Sequence, residues 1–409
     1  MTFFGKITIT PTSPDDRIEV IDSLRGFAIF GILIVNMKVF SGSNWEGDIF
    51  TGKLDQLIYW IIEVFADNKF LNLFSFLFGV GFAIQLGKAI RKKSNFRTVY
   101  IRRLLVLFFF GIIHGVFIAW VDVLSAYAIL GCLLLLIYYL SNKTIKILFV
   151  ICLLTPFVYN LSDGPNIWNQ ENKEHVVQNE LKAKSELCHS CDRELHKDGT
   201  YNELVLMRVD YWSHILTSFA WYISIIGNEF VMFLIGFYIS RKGFFQNLQK
   251  HIVQIKRALP WIFIIGLTIT LVSLYSENLF SNFSDIIKDP IAELLFVLGA
   301  IAMSASYLFV IIILNSSGLW KKCLTWLAKV GRMSLTNYLL QSIICSFIFY
   351  EHGLGLYGKL GPTIGILLTL LIFILQIIFS NWWFKWARFG PFEWIWRSIT
   401  YGRLQPILN

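Results

Sequence analysis

Charge is what this chain of 409 residues has least of: Asp, Glu, Lys and Arg make up 15% of it, where a soluble domain carries about 25%. There is too little polar surface to hold a chain of this length in water. Several motifs are missing as well. No P-loop occurs, no Gly-x-Ser-x-Gly elbow, and no dinucleotide fingerprint in the strand-turn-helix setting that such chemistry requires. Soluble nucleotide chemistry and serine-hydrolase chemistry are left without support. A secretory signal is not expected either, because residues 1–21 are polar, with Pro11, Pro14, Asp15 and Asp16, and no small-residue cleavage site follows Arg25.

Apolar residues fill the gap. They form 56% of the chain, aromatics 16%, with 37 Phe and 14 Trp, and the mean hydropathy is +0.59. Segments of about 20 apolar residues are needed to cross a bilayer, and they occur near 24–42, 69–88, 103–121, 123–140, 145–161, 213–239, 258–276, 291–314, 333–350 and 362–384. The expected fold is therefore all-α, a polytopic transmembrane bundle of about ten spans. The stretch Leu54–Phe65 carries Glu63 and is too short to cross, so it reads as interfacial or re-entrant.

The net charge of +9 follows from this topology rather than from nucleic-acid binding. With both termini cytoplasmic, roughly two thirds of the 36 Lys and Arg fall on inner segments, as the positive-inside rule requires. The expected organisation is a cytoplasmic tail (1–21), five spans (22–161), an extracytoplasmic loop (162–212), five more spans (213–384) and an aromatic-basic C-terminal segment (385–409) on the inner interface, in a multi-pass protein of the plasma membrane. Within that segment Arg397 and Arg403 stay candidates for a donor-binding role, with a surface anchor favoured. Nothing in the sequence sets the oligomeric state.

The outer loop is the one segment of soluble character, and 171–187 reads as helical. It holds Cys188 and Cys191 with His189 and His196 close by. A Cys-x-x-Cys with histidines has the chemistry of a zinc knuckle, but only one knuckle is present, and outside the cell such a pair also reads as a disulfide or as free thiols. Metal is the lesser alternative. Cys132, Cys152, Cys323 and Cys345 read as small packing residues.

Polar groups inside hydrocarbon are expensive and so mark candidate sites. On the first span Arg25 and Asn36 are eleven residues apart, which puts them on one helix face about 16 Å apart. On the third, Arg103 and His114 repeat that spacing, Arg102 precedes them, and Asp122 follows at the outer end. Read at mid-depth, His114 is the side chain suited to act as a general base near neutrality; packing at the close approach of Gly111 and Gly115 explains it equally well. Asn228, Glu229, Glu293, Asn337, Gln341 and Gln376 are the remaining intramembrane polar residues.

The segments RIEVIDSLRGFAIFGILIVNM, FSFLFGVGFAIQL, RRLLVLFFFGIIHGVFIAWVDVLSAYAILG, GRMSLTNYLLQSIICSFIFY and GPFEWIWRSITYGRLQPI together resemble the YeiB family of bacterial membrane proteins over nearly the whole chain, the outer loop excepted. That family is related to transmembrane acyltransferases, which take an acyl group from acyl-CoA on the cytosolic side and deliver it to a hydroxyl or amine across the membrane. In the sugar O-acetyltransferases an arginine on the first span precedes a histidine by eleven residues; here Arg25 matches and position 36 is Asn. The lysosomal heparan-α-glucosaminide N-acetyltransferase also has Asn there, but its histidine comes eleven residues later, where this chain has Gly47.

The resemblance therefore implies an acyltransferase-like protein with no resident cofactor and acyl-CoA as donor. Arg25, Arg102 and Arg103 would bind the donor, Asn36 and His114 would act on the acyl carbonyl and the acceptor, and Asp122 would orient a polar acceptor, a sugar or lipid of the cell envelope. Two other classes stay open. One is a carrier or exporter whose Asn36, His114, Glu229 and Glu293 line a path, although no internal repeat is evident; the other is a non-catalytic membrane protein.

Overall fold

The computed structural model describes residues 18–42, 50, 52–93, 95–161 and 195–408. Its described elements are helices. In chain order they are α1 (Glu19–Ser41), α2 (Lys53–Phe65), α3 (Lys69–Arg91), α4 (Phe96–Phe117), α5 (Leu124–Ile137), α6 (Asn142–Leu161), α7 (Tyr201–Thr217), α8 (Phe219–Arg241), α9 (Leu248–Leu274), α10 (Asp285–Ser316), α11 (Lys321–Arg332), α12 (Ser334–Phe349), α13 (Pro362–Trp383) and α14 (Pro391–Tyr401). Eight apolar stretches are long enough to cross a membrane, and α5 and α12 are two shorter apolar helices. The protein is an all-α polytopic bundle, and its apolar helices coincide with the ten segments read from hydropathy.

Helix α1 lies at the centre. It packs against α3, α10, α11, α12 and α13, and 61% of its apolar stretch is buried, against 17% for α6 and for the α9 stretch. The exposed rows on those outer helices, such as Ile147, Ile151 and Val158 on α6 or Trp261, Ile264 and Ile265 on α9, are the faces a bilayer would cover.

Close helix crossings set the bundle's interior. A side chain on Gly331 of α11 would overlap the Asp22 carbonyl of α1, and one on Gly26 would overlap the Leu327 carbonyl. The two backbones touch only because both positions are glycine. Helix α2 is mostly exposed and buries only Ile62 and Val64.

Several polar residues read from sequence turn out to fasten helices together. Gln341 Nε2 donates to Gln376 Oε1 at 2.7 Å, Gln376 Nε2 donates to the Asn337 carbonyl at 2.9 Å, and Asn337 Nδ2 donates to Ser380 Oγ at 3.1 Å. This ladder joins α12 to α13. Asn160 of α6 donates to the Glu293 carboxylate of α10, and Asn228 donates to the Ser224 carbonyl one turn back at 3.2 Å. Such bonds hold helices where water is absent.

Candidate functional site

The sequence G-I-I-H-G ends α4, and each glycine has a task there. A side chain on Gly111 would collide with the Ser125 amide, and one on Gly115 with the Trp212 indole. The first glycine lets the start of α5 close on α4; the second admits α7. Between them His114 is fully buried. It occupies the last turn of α4, which stops at Phe117, three residues later.

Asp122, on the turn between α4 and α5, points back at the histidine. Its Oδ1 lies 3.0 Å from His114 Nδ1, and its Oδ2 accepts from the Ser125 amide and hydroxyl, each at 2.8 Å. Asp122, expected from sequence to orient a polar acceptor, is thus bonded to the imidazole and to Ser125. A carboxylate on Nδ1 favours the tautomer with the proton there, leaving the Nε2 lone pair available. Nε2 has no hydrogen-bond partner among the described residues. The His114 ring packs 4.9 Å from the ring of Tyr338, whose hydroxyl donates to the Val121 carbonyl at 3.4 Å.

Tyr338 also walls a cavity of about 220 Å³. Val123 and Leu124, next to Asp122, are among its largely apolar lining, which also holds the carboxylates Asp22 and Glu393 and four arginines: Arg25 of α1, Arg103 of α4, Arg332 at the end of α11 and Arg397 of α14. Each is held at its guanidinium. Arg25 pairs with Asp22 at 3.0 Å, Arg103 lies over the Trp396 ring at 3.9 Å, Arg332 over Phe384 at 4.0 Å and Arg397 over Phe389 at 4.6 Å. Guanidinium groups stacked on rings keep their planar donors oriented, an arrangement suited to phosphate or carboxylate.

The C-terminal segment does more than lie on an interface. Helix α14 packs on α4 and α12, Trp396 Nε1 donates to the Arg103 carbonyl at 2.8 Å, and Glu393 accepts from the Leu335 and Thr336 amides at 2.7 and 3.0 Å. Glu393 thus caps the start of α12 from another helix. Burial pushes its carboxyl above the ordinary value, while the bonds from Thr336 and Leu335 pull the other way.

Of the residues singled out by sequence, Arg25 and Arg103 share the cavity and His114 and Asp122 share the turn beyond it. Asn36 is half-buried on α1, does not line the cavity, and makes no hydrogen bond to His114 among the described residues. Arg102 lies by Gly402 rather than in the cavity, and Arg403 is exposed outside it. Cys188, Cys191, His189 and the helix expected at 171–187 lie outside the described residues. His196 stacks on Tyr357 with ring centres 5.5 Å apart, and no group of three or more metal-ligating side chains occurs among the described residues.

Sequence reasoning passed over Arg332, which it counted only as an inner charge, and the pair Arg208 and Trp212 of α7. Arg208 is completely buried, although the reading placed it in a polar outer loop. The signal was present: Leu204, Arg208 and Trp212 recur every four residues, the spacing of one helix face.

The profile of the family described as "Protein of unknown function (DUF418)" matches residues 239–403. Uncharacterized protein YxaH of Bacillus subtilis (strain 168) is 34% identical, covering 98% of both chains. An uncharacterized 39.9 kDa protein encoded in the amylase 3′ region of Bacillus acidopullulyticus is 28% identical over 97% of this chain and 98% of its own. Uncharacterized protein YeiB of Escherichia coli (strain K12) is 26% identical over 96% and 99%. No solved structure matches. With relatives aligned from end to end and the family profile over its C-terminal part, the chain belongs to the DUF418 (YeiB) family of membrane proteins.

Proposed function

We propose that this protein is a plasma-membrane acyltransferase that carries an acyl group from a cytoplasmic acyl-CoA to a hydroxyl or amine presented from outside. The observation that carries the reading is the open Nε2 of His114, oriented through Nδ1 by Asp122, directly behind an arginine-lined cavity. The charge distribution supports a cytoplasmic side for that cavity. Its volume suits the acyl end of a donor, with Arg25, Arg103, Arg332 and Arg397 meeting donor phosphates toward the mouth.

In the reaction, His114 Nε2 takes the proton from the acceptor hydroxyl or amine as that atom attacks the thioester carbonyl. The new C–O or C–N bond forms, the C–S bond breaks, and the proton on Nε2 passes to the departing thiolate. Asp122 stabilises the imidazolium between these steps. Tyr338 stands between His114 and the cavity, so transfer requires its ring to turn aside. The acceptor class is a sugar or lipid of the cell envelope.

The test is purified protein incubated with radiolabelled acetyl-CoA and membrane lipids or envelope sugars. Label transfer that falls about 10²- to 10⁴-fold in His114→Ala is expected for a lost general base; no transfer and no coenzyme A binding by calorimetry sink the reading. One observation favours a second reading, a proton-coupled carrier. Glu229 sits in a π-turn of α8, Ile226–Phe230, with no hydrogen-bond partner for its Oε2 among the described residues, and π-turns often accompany functional sites. Uptake into proteoliposomes that disappears in Glu229→Gln would favour the carrier. A phenotype untouched by His114→Ala would favour a non-catalytic role.

A further inference from the structure

Beyond the arginine cavity, on the other side of His114, α7 turns a charged face into the protein. Arg208 is completely buried and Trp212 nearly so. One helical turn apart, they lie on the same face. The Trp212 indole nitrogen abuts Gly115, the residue after His114. The Arg208 guanidinium lies over the Tyr350 ring at 5.4 Å. Its electrostatic companions are Tyr350, whose hydroxyl also hydrogen-bonds it, and Tyr201, and no carboxylate accompanies them among the described residues.

Apart from its contact with the Tyr350 hydroxyl, the Arg208 guanidinium has no hydrogen-bond partner among the described residues, and Trp212 Nε1 lacks one too. A buried guanidinium without a counter-ion is strongly unfavourable, by several kcal/mol for a charge left uncompensated. The guanidinium and the indole N–H point to one chemistry, since guanidinium and indole nitrogens can only donate.

We infer that Arg208, Trp212 and Tyr350 form a binding site for an oxyanion, the carboxylate or phosphate of a molecule entering from the outer side next to His114. Guanidinium matches such groups in a two-pronged geometry, and the indole N–H supplies a third donor close to the histidine. The site stands on its own as an anion site. Its assignment to the acceptor of acyl transfer rests on the proposed function and narrows it: the acceptor bears an anionic group beside the hydroxyl or amine that is acylated.

The experiment uses the full chain in uncharged detergent and in nanodiscs, with no acyl donor present. Calorimetric titration with inorganic phosphate and with acetate tests soluble oxyanions. Thermal stability in phosphatidylglycerol nanodiscs against phosphatidylcholine nanodiscs tests an anionic lipid headgroup as the source. Binding in either arm that weakens roughly thirtyfold or more in Arg208→Gln and is partly retained in Arg208→Lys supports the site, as does weaker binding in Trp212→Phe, which keeps the ring and removes the N–H.

Arg208→Met separates ligand binding from structural support. In the ligand-free protein its Tm should rise by about 2 °C or more, because an uncompensated charge is replaced by an apolar chain of similar length. A lower Tm or loss of the fold in Arg208→Met, no oxyanion binding by the wild type in either arm, or binding unchanged in Arg208→Gln overturns the inference. Acetyl transfer to neutral acceptors with no oxyanion binding would overturn this site and leave the acyltransferase intact; oxyanion binding without acetyl transfer would do the reverse.

Discussion

A carboxylate that accepts from an imidazole and from both donors of one serine is fixed in place, and that is the condition of Asp122. Replacing it with Asn keeps the shape but puts an amide donor where His114 Nδ1 needs an acceptor. Asp122→Asn should therefore favour the tautomer with the proton on Nε2, and the acyl transfer proposed above should fall by about 10⁴-fold with little change in donor KM. A KM that rises while kcat holds would assign Asp122 to binding instead. A second residue prediction concerns His352, whose Nε2 lies 3.2 Å from Ser346 Oγ and whose ring meets that of Tyr201. Its pKa is lowered from the usual 6.5 first by burial and then by the Arg208 charge. Arg208→Gln removes only the second cause, so the His352 pKa should rise part of the way back in an NMR titration of its ring protons. An unchanged value would mean that the two groups do not feel each other.

At the scale of elements, α7 holds Arg208 and Trp212 in place, and its first turn is secured by a capping box. Thr200 Oγ1 accepts from the Glu203 amide while the Glu203 carboxylate accepts from the Thr200 amide at 2.8 Å. The Thr200 side chain and amide hold the Glu203 carboxyl below its usual 4.5. With the folded value depressed, the capping contribution is present above the unfolded pKa and is lost as pH falls through the folded one. Hydrogen exchange at the first-turn amides of α7 should accelerate on acidification below pH 4.5, and Glu203→Gln should abolish that dependence. Exchange independent of pH-driven opening in the wild type would contradict this. At the α1–α11 crossing, Gly331→Ala should destabilise by roughly 1–3 kcal/mol, as overpacking a close contact does. Thermal unfolding in detergent measures it, and an unchanged Tm would show that the crossing can spread without loss.

At the scale of the whole molecule, the end of the bundle that gathers Arg25, Arg103, Arg332 and Arg397 is read as cytoplasmic. Exposed Cys323 on α11 lies at that end. In a background lacking the other cysteines, a membrane-impermeant maleimide should label Cys323 in inside-out vesicles and not in right-side-out ones. The opposite pattern would invert the molecule and move the arginine cavity to the outer face. Replacing Arg332 or Arg397 by Gln should weaken coenzyme A binding, because both present a guanidinium to the cavity.

How much of this was legible in the sequence differs by kind of residue. Spans were legible because twenty apolar residues in a row have one reading in a chain with so little charge, and the helices of the bundle fall where hydropathy put them. His114 was legible as a candidate because an imidazole amid Phe and Ile is costly to bury. Its partner was not: eight residues separate His114 from Asp122, and only the sharp stop of α4 and the turn before α5 fold the carboxylate back onto Nδ1. Asn36 shows the opposite failure, since its eleven-residue register with Arg25 aligned it on a face, yet register within one helix does not say which neighbour that face meets.

The sequence by itself determined that the chain is an all-α membrane bundle and which few polar residues a bilayer would make expensive, because hydropathy acts locally along the chain. Only the tertiary structure decided which of those residues share a site. Arg25, Arg103, Arg332 and Arg397 come from four helices spread from one end of the chain to the other, and Trp212 reaches the residue after His114 because Gly115 lets a later helix pack there. Contacts of that kind depend on which backbones can approach, and that is settled by packing in three dimensions.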